Sequence, residues 1–197
     1  MTIGRPIEYD PDQVVQAAMQ AFWAKGYEAT SLADLLDATG LSKSSFYQSF
    51  GSKKEMFERC LSRYADNLVS TLNARLAASP SPVAFIGGML TEYASEGART
   101  ALPMGCLAMN TASEYGQRDA EFAKWVDACI ARVHAVFASA IERGQVMGEI
   151  TGRQPAGVLA TYVMTSRSGL GTMVKAGTPL AVVLGVVDVM LSALRAD

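Results

Sequence analysis

Histidine is almost missing from this chain: His134 is the only one in 197 residues. It falls on an apolar-striped helical stretch with no serine or cysteine at catalytic spacing. A Ser-His or Cys-His nucleophile pair therefore has no candidate, and a structural histidine is the expectation. Cysteine is scarce too. Cys60, Cys106 and Cys129 are odd in number, widely spaced and form no CxxC pair, which excludes a recognisable disulfide framework or zinc site. No acid cluster suggests another metal, so none is expected. Gly169-Leu170-Gly171 has no strand before it, and Gly87-Gly88 has no lysine after it. Neither dinucleotide nor phosphate-loop chemistry is encoded, and no cofactor is implied. Long apolar runs are lacking as well. Pro179 to Val187 ends at Asp188, short of the ~20 residues a membrane span needs. MTIGRPIEYDPDQ carries no apolar signal core, so a cytoplasmic protein without a membrane partner is expected. The net charge is only −2, and any binding of nucleic acid has to come from a local patch.

What the chain does have is Ala, Leu, Met and Val at helical spacing, without β-branched alternation. The expected class is all-α, with about nine helices. The informative stretch runs from Thr30 to Phe57. Ser31 and Asp34 have the spacing of a capping box, followed by an apolar face of Leu32, Leu35 and Leu36. Gly40 suits the left-handed residue that ends a helix, and Ser42 can cap the next one. There Phe46 and Phe50 face inward, leaving Lys43, Ser44, Tyr47 and Gln48 on or near the other side. Ser52 and Glu55 form another capping box. Between Leu41 and Lys54 there are three lysines and no carboxylate. A short helix presented after a glycine turn, with an acid-free outer face, is the pattern of a DNA-reading helix-turn-helix. Ahead of it, Asp10, Pro11 and Gln13 open a first helix, with Val15, Ala18, Met19 and Phe22 as its inner stripe and Gly26 at its end. Arg5, in GRPIEY, can lay its guanidinium into a minor groove. A disordered tail with one arginine accounts for those residues equally well.

The order YDPDQVVQAAMQAFWAKGYEATSLADLLDATGLSKSSFYQSFGSKKEMF resembles the DNA-binding domain of the TetR family of transcriptional regulators. The resemblance implies a three-helix head over residues 1–51 and a ligand-binding and dimerisation body over 52–197. It places Lys43, Ser44, Ser45 and Tyr47 on the recognition helix and Lys53 at a phosphate. It also implies a backbone contact from Thr30 or Ser31. A repressor that binds a palindromic operator as a homodimer, and that a small molecule or electrophile releases, is the expected function. A helical small-molecule or lipid-binding protein without a DNA partner is the alternative. It explains the body and leaves the lysine-serine helix unaccounted for.

Beyond the head the pattern predicts a long helix from Ser52 to about Leu76, joining head to body without a flexible linker. A break follows at Ser79 to Pro82, then a helix with Phe85, Met89 and Tyr93 on one face. Gly97 to Pro103 reads as a loop and Met104 to Tyr115 as helix. Asp119 caps a helix with the stripe Phe122, Val126, Cys129, Val133, Phe137 and Ile141. The last two helices run from about Pro155 to Lys175 and from Pro179 to Leu194. Both are rich in small and apolar residues on several faces, which predicts a partner subunit as cover. Val183 and Val187 are expected in that interface. A pocket for an apolar or amphipathic effector is expected among Met89, Tyr93, Met109, Trp125, Tyr162 and Met173, with Asn110 and Arg167 as polar points. Cys106 begins a helix within the segment PMGCLAMN, which is similar to that of family members that sense electrophiles and oxidants. A thiol at a helix N-terminus meets free backbone donors that favour its thiolate. Lys175 is expected close to it. A small buried residue filling the core is the competing reading of Cys106.

Overall fold

The computed structural model describes residues 9–99 and 105–196, with the side chains of 96–99 left out of the description. Arg5 and Met104 lie outside these residues. Among the described residues the chain forms nine helices: α1 (Pro11–Lys25), α2 (Leu32–Thr39), α3 (Lys43–Phe50), α4 (Lys53–Ala78), α5 (Pro82–Arg99), α6 (Leu107–Tyr115), α7 (Ala120–Val146), α8 (Ala156–Lys175) and α9 (Leu180–Leu194). They make two compact units, one ending at Tyr64 and the other beginning at Ala65. The division therefore falls inside α4 and not at the glycine turn before it. Its first turns are held by the head: Arg63 pairs with Asp12 at 2.7 Å and Tyr64 meets Trp23 edge-on at 5.2 Å.

The head closes around aromatic side chains. Phe22, Phe46 and Leu35 are fully buried, and Phe57 nearly so. Phe22 and Phe57 meet at 4.9 Å, and Tyr27 covers both at 5.9 and 5.0 Å. The buried residue in the first turn of α1 is Val14, with Val15 half-buried. Positions 14, 18 and 22 repeat every four residues, a spacing that meets the core as well as the expected stripe does. Asp10 caps α1 by accepting from the Asp12 amide at 2.9 Å.

The second unit is a helical body. Phe85, Ile86, Leu90, Phe137, Ile141, Ala160, Val163 and Leu170 are at its centre. The α7 stripe lies inward as expected. α5 continues through Gly97 to Arg99, which corrects the expectation of a loop at those positions. Val183 is wholly buried and Val187 almost so, in the same core as Met190 and Leu194. This overturns their expected place on an outer face. The exposed apolar face of α9 is one position out of phase: Val182, Val186 and Val189 are 52%, 37% and 69% exposed. A helix apolar on both sides gives no signal of which side faces the protomer's own core.

Gly144 lets the end of α7 close on the segment leading to α8. A Cβ there would lie 2.5 Å from the Ile150 side chain, which is itself buried. Gly144→Ala is expected to destabilise the body by ~1–3 kcal/mol through overpacking, read as a lower urea midpoint. An unchanged midpoint would contradict this packing.

Candidate nucleic-acid interface and effector site

Three consecutive helices of the head begin at serines, and their caps set the orientation of α3. Ser31 Oγ accepts from the Asp34 amide at 3.1 Å, while the Asp34 carboxylate accepts from the Ser31 amide at 2.7 Å. The Asp34 carboxyl is held below the usual range, first by Lys25 at 2.5 Å and then by Ser31. Gly40 takes the left-handed conformation (φ 69°) and ends α2. Ser42 then caps α3 through the Ser45 amide at 3.1 Å. At the start of α4 the Glu55 carboxylate accepts from the Ser52 amide at 2.6 Å, and the Glu55 amide donates to Ser52 Oγ at 3.2 Å. The Ser52 hydroxyl and amide hold the Glu55 carboxyl low. Both carboxyls are depressed in the folded state. Their contribution is present above the ordinary carboxylate range and is lost as pH falls through the folded values.

With Phe46 and Phe50 buried, α3 exposes Lys43, Ser44, Tyr47 and Gln48, as does the Ser42 cap. Ser45 is half-buried, with its hydroxyl 2.9 Å from that of Ser42. Lys53 is placed by a contact with no sequence signal. Its Nζ lies 4.4 Å from the Tyr27 ring centroid and donates to the Glu28 carbonyl at 3.4 Å. The aromatic link between α1 and α2 thus fixes the direction of that ammonium. Ser31 is exposed. Thr30 is wholly buried and its hydroxyl donates to the Gly26 carbonyl at 2.7 Å. This corrects the expectation for Thr30: its side chain serves the turn and has no surface to offer a phosphate.

In the body, some of the expected effector residues come together. Arg167 lies over the Tyr93 ring at 4.0 Å, and Lys175 donates to Asn110 Oδ1 at 3.2 Å. A Cβ on Gly105 would meet Lys175 Nζ at 2.8 Å, which puts this ammonium beside the residue preceding Cys106. Burial pushes the Tyr93 hydroxyl up, with Arg167 opposing and Cys106 reinforcing the shift. Cys106 is half-buried at the N-cap of α6, where its side chain makes no cap bond. Other residues are placed differently. Met89 belongs to the core, with Arg75 Nη1 3.4 Å from its sulfur. Trp125 packs on Phe122, which stacks on Tyr115. Tyr162 and Met173 pack against the core, and Met109 is half-buried. His134 Nε2 is 2.9 Å from the Gly157 carbonyl, tying α7 to α8. Among the described residues no cluster of three metal-binding side chains occurs, and no helix is long and apolar enough to cross a membrane.

A short capped helix with an acid-free outer face, on a three-helix head joined to a helical body, defines a helix-turn-helix DNA-binding regulator. Comparison with known proteins gives the family. Residues 14–60 match the model for bacterial regulatory proteins of the TetR family, and residues 83–182 match the tetracycline-repressor-like C-terminal domain. The chain belongs to the TetR family of DNA-binding transcriptional regulators. It is 28% identical to the uncharacterized HTH-type transcriptional regulator YezE of Bacillus subtilis, over 98% of this chain and 100% of that one. It is also 28% identical to the HTH-type transcriptional repressor ComR of Escherichia coli, over 90% of this chain and 85% of that one. Among solved structures it resembles a cysteine mutant of the TetR-family regulator CifR complexed with a 26-bp operator DNA. That likeness has a TM-score of 0.80 and 29% identity, over 96% of this chain and 99% of that one. The reduced form of E. coli NemR shares the fold, with a TM-score of 0.85 at 16% identity.

The three cysteines differ in what burial does to them. The Cys60 and Cys129 thiols are buried and pushed up to about 12, whereas Cys106 is partly exposed. N-ethylmaleimide at neutral pH is expected to add to Cys106 alone in the native protein, read by peptide mass spectrometry. Equal labelling of Cys60 or Cys129 would contradict the burial.

Proposed function

We propose that this chain is a repressor that grips a palindromic operator as a homodimer and lets go when its body takes an effector. The observation that carries the DNA reading is the outer face of α3. Lys43, Ser44, Tyr47 and Gln48 stand exposed there, the Ser42 cap is exposed beside them, and no carboxylate lies between Leu41 and Lys54. N-terminal residues of such a helix reach base edges in the major groove, and flanking cations hold phosphates. Ser31 and Lys53 are the phosphate-side residues of this reading. The relatives named as repressors, and the solved relative bound to operator DNA, support it. A DNA-bound regulator works in the cytoplasm, and no catalytic role is assigned to any residue.

The exposed valines of α9, together with Val158 of α8, support a dimer. Ahead of its terminal Lys175, α8 exposes Val, Thr, Thr, Gly and Thr at positions 158, 161, 165, 169 and 172, none of them charged. Exposed apolar surface of this kind is covered by a second copy in a two-fold interface. The effector reading rests on the grouping of Tyr93, Asn110, Arg167 and Lys175 beside Cys106. The partly exposed Cys106 thiol favours a second form of it, in which an electrophile is the effector. Alkylation then adds the Cys106 thiol across an activated double bond, its sulfur to one carbon and its proton to the other, and releases the operator.

Lys43→Ala is expected to weaken operator binding by ~1–3 kcal/mol and to relax preference at one position of each half-site. Lys53→Ala should weaken all sequences alike and flatten the salt dependence. Unchanged affinity in both variants, by gel shift at two salt concentrations, would remove α3 from the reading.

The dimer has its own test. Val182→Asp with Val189→Asp should leave a folded chain that sediments as a monomer and no longer retains operator. Val183→Asp should instead unfold the body, because it buries an unpaired charge. A dimer that survives the first pair of changes would place the interface elsewhere.

A further inference from the structure

Arg167, Gly171 and Lys175 follow one another at four-residue intervals along α8. They share one face, about 12 Å long at 1.5 Å per residue. The two cations on it are not equally served. Lys175 has Asn110 Oδ1 at 3.2 Å. Arg167 has its Nε sealed from solvent without a hydrogen-bond partner, and no ion pair among the described residues includes it. The Tyr93 ring lies 4.0 Å from the guanidinium. A ring face attracts the cation but accepts no N–H in the guanidinium plane. Gly171 is what admits Tyr93, because a Cβ there would come within 2.4 Å of the tyrosine oxygen.

Taking a guanidinium partly out of water with nothing to receive its N–H groups is costly. An arginine whose purpose is to hold the fold would have a carboxylate or carbonyls at its edge. Here no hydrogen bond or ion pair to a described residue meets the guanidinium edge, while a ring covers its face. The planar fork matches a carboxylate, which takes two parallel N–H bonds. The neutral Tyr93 hydroxyl beside Gly171 adds a donor. A dianion such as phosphate would call on a second cation. Lys175 lies two helical turns further on and already has a partner.

We infer that the body recognises a carboxylate: Arg167 receives the anionic head of an amphipathic carboxylic acid, with Tyr93 supporting the guanidinium. This rests on the reading that the body takes a small effector, and it names the chemical class of that effector.

The test is thermal unfolding of wild type and Arg167→Met with hexanoate, octanoate, decanoate, benzoate and naphthoate. Each acid is paired with its primary amide, and inorganic phosphate is run beside them. At least one acid should raise the wild-type Tm, while its amide and phosphate do not. Arg167→Met should lose that shift, with affinity reduced about tenfold or more. Without ligand, its Tm should be unchanged or higher, because an unpaired cation has been replaced by an apolar side chain of similar length. The inference is overturned by a lower ligand-free Tm in Arg167→Met, by amides or phosphate that stabilise as well as the acids, or by no response to any acid. Gel shift on the same samples separates it from the effector reading. An amide that releases operator as well as its acid keeps the effector reading and sinks the carboxylate. An acid that stabilises through Arg167 yet leaves operator bound upholds the carboxylate site and sinks the effector reading.

Discussion

The burial of Phe46 and Phe50 on one side of α3 is the constraint from which the head's behaviour follows. α3 is eight residues long, too short to be stable by itself in water. Two rings four positions apart pin it to the core and fix its rotation. Every other feature of the head serves that placement. Gly40 turns the chain sharply enough for α3 to leave α2, and Ser42 caps the Ser45 amide without a carboxylate. The aromatic group of Phe22, Tyr27 and Phe57 closes the core beneath it. An acid at the Ser42 cap would also close the helix, but it would set a negative charge on the face proposed to meet DNA phosphates. Serine is the capping residue that keeps both requirements.

Much of the head was legible because its signals are local. A serine three residues before an acid, a glycine at a left-handed position and two phenylalanines four apart each have one dominant structural meaning, and they agree. The misses have physical causes as well. Val14 and Val15 both fit a helical stripe, and packing decided between them. The position of Thr30 before a helix suggests a surface role, whereas its hydroxyl has a carbonyl within reach in the preceding turn. The docking of Lys53 on Tyr27 joins residues 26 apart in sequence, a distance over which no spacing rule operates.

The body was legible as a set of helices and much less so as a set of faces. α9 carries valine, leucine or alanine on nearly all sides, so its period gives no phase. Only the structure separates Val183 and Val187, which face the protomer's core, from Val182, Val186 and Val189, which do not. The same holds for the polar residues. Arg167 was visible as an arginine in an apolar helix, but nothing local announced that its Nε would be buried without a partner. Its meaning lies in what surrounds it, namely a ring on one face, a glycine one turn on, and no ion pair among the described residues. One helix, α4, belongs to both units, so the backbone runs between them without a loop.

The central claim is that α3 reads DNA and does so twice, in two copies related by a two-fold axis. Selection of binding sites from a random duplex library by the purified protein tests this most directly. Two-fold reading should enrich an inverted repeat whose half-sites are centred about one helical turn, ~34–36 Å, or a multiple of it apart. No enrichment over the starting library, or a recovered site without two-fold symmetry, would contradict it.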